Sequence, residues 1–149
     1  MTEIKRIVVG VDGSDRSRAA LLWAYNEAAH HEAAITVVST WHPPALPMTP
    51  PYGSLPPEGY VTQPEKAALD MLERFVVELD ARTPPVDVRT SVEKGNPAEV
   101  LIERSKEADL MVVGSRGHGG FKGMLLGSVS QHLVAHSECP VVVVRGADG

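Results

Sequence analysis

Apolar positions along this chain fall into two rhythms: short continuous runs, and spacings of three or four. Ile4 to Val11 carries Ile7-Val8-Val9, an almost wholly apolar β-branched run. That pattern predicts a strand covered on both faces. Asp12-Gly13-Ser14-Asp15 is a turn with helix-start chemistry, because Ser and Asp side chains accept from free backbone N–H groups. Arg16 to His31 reads as a helix with Leu21, Ala24 and Ala28 along one face. Ile35-Thr36-Val37-Val38 is a second strand, running toward Trp41. Glu65 to about Arg82 is the clearest helix. Its Ala68, Met71, Leu72, Phe75 and Leu79 follow i, i+3, i+4, i+7, i+11, and Pro84-Pro85 stops it. Val86 to Val92 alternates as a strand does. Asn96 caps the next helix and Pro97 opens it. There Leu101 and Ile102 face inward, and the helix ends near Ala108. Leu110-Met111-Val112-Val113 is a fourth strand. Leu126, Val129, Ser130, Leu133 and Val134 space a last helix, and Val141 to Val144 is the final strand. The tail Gly146 to Gly149 reads as frayed.

Strands alternating with helices predict an α/β fold with a parallel sheet and helices on both faces. The whole length, 1–149, reads as one domain without internal repeats. One stretch breaks the pattern. Eight of the 12 prolines lie between His42 and Pro64, a density that no helix or sheet interior tolerates. It is expected to be a long surface loop. Because it leaves the end of the second strand, it is also a candidate lid over whatever binds there.

Composition narrows the function. With 14 Lys and Arg against 19 Asp and Glu, the net charge is −5. That argues against a general electrostatic grip on nucleic acid or on an anionic membrane. A single cysteine excludes an intrachain disulfide framework and a Cys-rich zinc site. The opening apolar run is too short and mixed for a signal peptide, and no segment approaches the ~20 apolar residues of a membrane span. The expected compartment is the cytoplasm.

In open parallel α/β sheets, ligands bind beyond the carboxyl ends of the strands, where strand order reverses. Two post-strand turns carry chemistry. Gly114 to Ser128 holds six glycines in 15 residues and runs from a strand end to a helix start. Glycine lets backbone N–H groups approach an anion closely, and a helix N-terminus adds about half a positive charge. Ser128 and Ser130 offer hydroxyls, while Arg116, His118 and Lys122 offer positive charge. Together they describe a phosphate cradle; the alternative is a flexible glycine loop without a ligand. It is neither a Walker loop, since no Lys follows Gly127, nor the dinucleotide G-x-G-x-x-G. The second turn is Gly10-Val11-Asp12-Gly13-Ser14. A carboxylate there can accept from a ribose hydroxyl or help hold a metal; alternatively, Asp12 and Ser14 merely cap the following helix.

Gly114-x2-Gly117-x9-Gly127-Ser128 matches the nucleotide-binding signature G-2x-G-9x-G-[S/T] of the universal stress protein family. The opening Ile7-Val8-Val9-Gly10-Val11-Asp12-Gly13-Ser14 resembles that family's first strand and Asp turn. Cys139-Pro140-Val141-Val142-Val143-Val144 resembles its closing strand. The likeness spans essentially the whole chain. It implies a Rossmann-like fold of the adenine nucleotide alpha hydrolase type, with an open five-stranded parallel sheet ordered 3-2-1-4-5 and four helices. In that order Asp12 and Gly114 flank one crevice. The resemblance places Asp12 by the ribose or adenine, with Gly10, Val11 and Thr40 lining the base. Val113 and Gly114 flank base and ribose, and Arg116, Gly117, Gly127, Ser128, Val129 and Ser130 surround the phosphates. It also implies a homodimer paired through Val141 to Val144, an edge otherwise open to aggregation. Where the family often carries Pro before the Asp turn, this chain has Gly10, which leaves more room.

The implied cofactor is an adenine nucleotide: ATP, AMP or cyclic AMP, with Mg2+ or Mn2+ as a companion to the phosphates. Backbone N–H groups and serines satisfy a single phosphate, whereas a triphosphate wants a cation or more basic side chains. No nucleophile–base–orienter set is legible, so the expectation is a nucleotide sensor or reservoir in stress response. A slow metal-dependent nucleotide phosphohydrolase with weak ATPase activity is the enzymatic alternative. A nucleotide-free dimeric partner-binding protein is the other. His132 and His136 stand at i, i+4 but lack the Glu of a zinc protease, and read as helix-face residues. His30-His31 suits a helix end. Cys139 reads as a part-buried structural thiol. Trp23 and Trp41 read as core or pocket wall.

Overall fold

Two helix starts are set by local side chains, as the sequence predicts. Ser14 accepts from the Ser17 amide at 3.2 Å and opens helix α1, Asp15–His31. Asn96 Oδ1 accepts from the amides of Ala98 and Glu99 and opens α3, Pro97–Ser105. Each bond satisfies N–H groups that a helix terminus otherwise leaves without partners. Glu32 closes α1 in the left-handed region, its amide donating to the Ala28 carbonyl. In the computed structural model, residues 3–42, 63–82, 85–117 and 126–146 are described. Most of the proline-rich stretch, 43–62, lies outside them, as do His118 and Lys122.

The strands are β1 (Arg6–Gly10), β2 (Ala34–Trp41), β3 (Val88–Lys94), β4 (Leu110–Gly114) and β5 (Val141–Val144). The remaining helices are α2 (Gln63–Asp80) and α4 (Ser128–His136). All pairings are parallel, in the order β3-β2-β1-β4-β5. The implied 3-2-1-4-5 sheet is therefore the observed one.

Two core clusters, one on each face, explain why the central strands read as continuous apolar runs. Ile7, Val9, Ile35, Val37, Leu110 and Val112 point to the face under α1 and α2. Val8, Val38, Met111 and Val113 point to the opposite face, with Leu101 of α3 and Leu133 of α4. Leu21, Ala24 and Ala28 are buried, as the spacing in α1 requires. Trp23 packs against the first cluster.

Three differences from the sequence reading have local causes. Pro64 is not the end of a loop but the second residue of α2, where its missing N–H costs nothing. The helix α4 begins at Ser128, so Leu126 precedes it. Val134 is 58% exposed, because the covered stripe of α4 is narrow: Ser130 and Leu133 are its buried residues. Among the described residues, no helix is long and apolar enough to cross a membrane.

Two tethers hold the chain segments that feed the sheet. Ser105, 1% exposed, donates from its hydroxyl to the Ile102 carbonyl and accepts from the Glu138 amide at 3.0 Å. It thereby ties α3 to the turn before β5. Ser105→Ala leaves that amide without its partner and is expected to cost about 1–2 kcal/mol in urea unfolding.

Asp109 Oδ2 accepts from the amides of Lys5 and Arg6 at 2.9 Å each, tying the turn before β4 to the approach to β1. These bonds, that of Lys5 foremost, hold its carboxyl below the usual carboxylate range against the opposing pull of burial. The fold thus favours the ionised form. Its stabilising effect is full above about pH 4, the ordinary aspartate value, and is lost as pH falls through the lower folded value. Asp109→Asn keeps an acceptor oxygen without the charge. Below about pH 4, the wild type is therefore expected to lose denaturation midpoint faster than this variant.

Candidate functional site

Sheet order reverses between β1 and β4, and a crevice of about 680 Å³ opens at the carboxyl ends of the strands there. Its floor comes from strand ends: Gly10 of β1 and Val11 just after it, Val38 to Thr40 of β2, and Val113 and Gly114 of β4. Its polar side comes from Asp12, Arg116 and Gly117 with the start of α4, Gly127 to Ser130. Twelve of the residues singled out from sequence therefore meet in one cavity. Ser14 is not among the lining residues, and His118 lies outside the described residues.

Ser14 acts beside the site instead. Its amide and hydroxyl both donate to Asp12 Oδ1, at 2.9 and 2.5 Å. The Asp12 amide donates to Ser17 Oγ at 3.3 Å. One carboxylate oxygen is thus committed to the turn, which fixes the side chain. The other, Oδ2, faces Gly117 so closely that a Cβ there would overlap it. The capping reading of this turn holds for Ser14, which caps α1, while Asp12 lines the crevice.

The approach to α4 is held from β4. The Gly127 amide donates to the Ser115 carbonyl at 2.6 Å. Ser130, 2% exposed, donates its hydroxyl to the Gly114 carbonyl at 2.7 Å. That hydroxyl joins helix to strand, a bond not legible in sequence. Gly127 offers α4 no side-chain cap, so its first turn presents backbone N–H groups and the helix dipole to the crevice. Such an end favours an anion.

Several lining residues were not anticipated. Pro64, Ala67, Ala68 and Met71 of α2 form an apolar wall, and Pro97 and Leu101 of α3 another. For Ala68, Met71 and Leu101 the sequence signal is core periodicity, which does not distinguish a core wall from a pocket wall. Gly10 has a specific partner: a Cβ there would come within 2.6 Å of Leu101 Cδ1. The room that glycine leaves is taken by this leucine.

Among the described residues, no cluster of three or more His, Cys, Asp or Glu could hold a metal ion. His132 Nδ1 lies 2.7 Å from the Ser128 carbonyl, and the His132 and His136 rings stand 6.5 Å apart. Cys139 is half-buried; burial pushes its thiol pKa up, against a hydrogen bond from Ser137. A raised thiol is a poor nucleophile at neutral pH.

Comparison with known proteins follows the same lines. The family model described as universal stress protein family matches residues 3–145. A universal stress protein of Mycolicibacterium smegmatis is 36% identical over 140 residues, which make up 93% of this chain and 45% of that protein. The chain spans less than half the length of the curated relatives it matches. A solved universal stress protein in complex with cAMP is 25% identical, with a TM-score of 0.74 over 98% of this chain and 100% of that one. The structure of hypothetical protein MJ0577 shares the fold, with a TM-score of 0.75 at 19% identity over 99% and 100% of the two chains. Sheet order, spaced glycines and sequence likeness agree along nearly the full chain, which belongs to the universal stress protein family.

Proposed function

We propose that the crevice binds an adenine nucleotide, and that the protein works in the cytoplasm as a nucleotide sensor or reservoir in stress response. One observation carries this reading: a fixed carboxylate and an uncapped helix N-terminus, with Gly117 beside them, form the polar side of one apolar-walled cavity. A nucleotide has the matching parts. Its flat base suits Gly10, Val11, Thr40 and Val113. Its ribose hydroxyls suit Asp12 Oδ2, beside Gly114. Its phosphate suits Arg116, Gly117 and the first turn of α4 from Gly127 through Ser128, Val129 and Ser130. The solved relative named as a cAMP complex supports the ligand class.

ATP, AMP and cyclic AMP all fit this chemistry. Among the described residues, Asp12 is the one carboxylate of the lining. Mg2+ or Mn2+ beside a triphosphate would therefore take that carboxylate, phosphate oxygens and water as ligands. Calorimetry with ATP, AMP and cyclic AMP tests the reading: saturable heat at one ligand per chain is expected with at least one of them. No heat with any of the three overturns it.

We also assign the β5 edge to pairing with a second copy. Its four valines are half-buried, and an open strand edge of this kind invites another strand. Light scattering is expected to give twice the chain mass; a monomer at micromolar concentration would reject the pairing.

A further inference from the structure

Arg16 occupies an electrostatically unfavourable place. It is the second residue of α1, where the helix dipole disfavours a cation. Among the described residues, no carboxylate lies within ion-pair distance of it; its hydrogen bond runs from Nη1 to the neutral Ser115 hydroxyl at 2.7 Å. Local rules broken without local compensation point to function.

Its partner explains the placement. Ser115 is fully buried and is a junction of three elements. Its amide donates to the Val144 carbonyl of β5 at 2.9 Å, and its carbonyl accepts the Gly127 amide at 2.6 Å. The hydroxyl of Ser130 reaches the same carbonyl at 3.4 Å. The neighbouring Gly114 lies directly against the Arg16 backbone, 2.9 Å from where its Cβ would be. Arg16 therefore grips, from behind, the residue that fixes the N-terminus of α4. Arg16 is not itself among the residues lining the crevice.

We propose that Arg16 is a positioning residue for the ligand's phosphate. It holds Ser115, and through it the Gly127 end of α4, and it supplies a positive charge whose counter-charge is the bound phosphate. The inference rests on the nucleotide reading of the crevice. It differs from that reading in assigning phosphate recognition to a side chain outside the cavity.

The test compares ligands with and without phosphate. AMP is titrated by calorimetry, and adenosine by competition against a fluorescent adenine nucleotide, into the wild type and Arg16→Ala. Arg16→Ala is expected to weaken AMP about tenfold and to leave adenosine within twofold. Arg16→Lys, which keeps a donor and the charge, is expected to restore AMP affinity to within about threefold. The pair should also be coupled: adding Ser115→Ala to Arg16→Ala is expected to weaken AMP by less than twofold more. A merely structural role would weaken AMP and adenosine alike, and that result overturns the proposal. So does unchanged AMP affinity in Arg16→Ala while the wild type binds AMP. A wild type that binds neither AMP nor adenosine overturns this inference; the nucleotide reading itself falls only if ATP and cyclic AMP give no heat either.

Discussion

Replacing Gly114 by valine is expected to destabilise the fold by more than about 3 kcal/mol, at or above the upper end of ordinary overpacking costs. The reason lies in what the new side chain would meet. Even a Cβ at Gly114 comes within 2.9 Å of the Arg16 carbonyl carbon and 3.0 Å of its oxygen. Those atoms belong to the first turn of α1, whose cap is fixed by Ser14, so they cannot swing aside as a side-chain tip can. Relief requires moving α1 away from β4, which opens the cluster containing Leu21, Ala24 and Val112. A typical domain has about 5–15 kcal/mol in total, so this loss is a large share of it. Urea unfolding followed by circular dichroism measures it. A midpoint within experimental error of the wild type would show that α1 is not held against β4 as described. Nucleotide binding lost in this variant would say little about the site, since the packing of α1 on β4 is disturbed with it.

Gly117→Val separates the site from the fold, although the two glycines belong to one motif. Its Cβ would overlap Asp12 Oδ2, the end of a side chain, rather than backbone. Asp12 can turn away, at the expense of its bonds to Ser14. The fold is expected to lose only about 1–2 kcal/mol, the scale of a helix-cap change. The crevice, however, loses the fixed carboxylate and gains a branched side chain beside it. Adenine nucleotide affinity is expected to fall about a hundredfold or more, the scale of one charged hydrogen bond. Calorimetry on a variant shown to be folded gives the answer. Affinity within threefold of the wild type would mean that neither Asp12 nor Gly117 touches the ligand.

These contrasting outcomes also mark how far the chain could be read unaided. The element order was legible because periodicity is a property of the local sequence. Runs such as Leu110 to Val113 alternate between two buried faces, and Ala68, Met71, Leu72 and Leu79 repeat at helical spacing. Caps were legible because Ser14 and Asn96 bond within three residues of themselves. The glycine spacing, as a family resemblance, pointed correctly to the turns that meet at the reversal of strand order.

Boundaries and walls were less legible. The start of α4 at Ser128 depends on Gly127 being held by the Ser115 carbonyl, twelve residues away in sequence. The exposure of Val134 depends on how little of α4 the sheet covers. Leu101 and Met71 have the same spacing whether they fill a core or line a crevice, so only the packing of α2 and α3 around the strand ends assigns them. Gly114 and Gly117 are equivalent in the motif, yet one abuts a helix backbone and the other a carboxylate. The bond from Arg16 to Ser115 spans 99 positions and leaves no local trace. Sequence by itself determined the strand and helix order, the helix caps and the glycine turn, because each is written in neighbouring residues. Tertiary structure alone decided which turns share a cavity, what each glycine makes room for, and which distant arginine braces it. Those facts depend on distances between segments that chain connectivity leaves free.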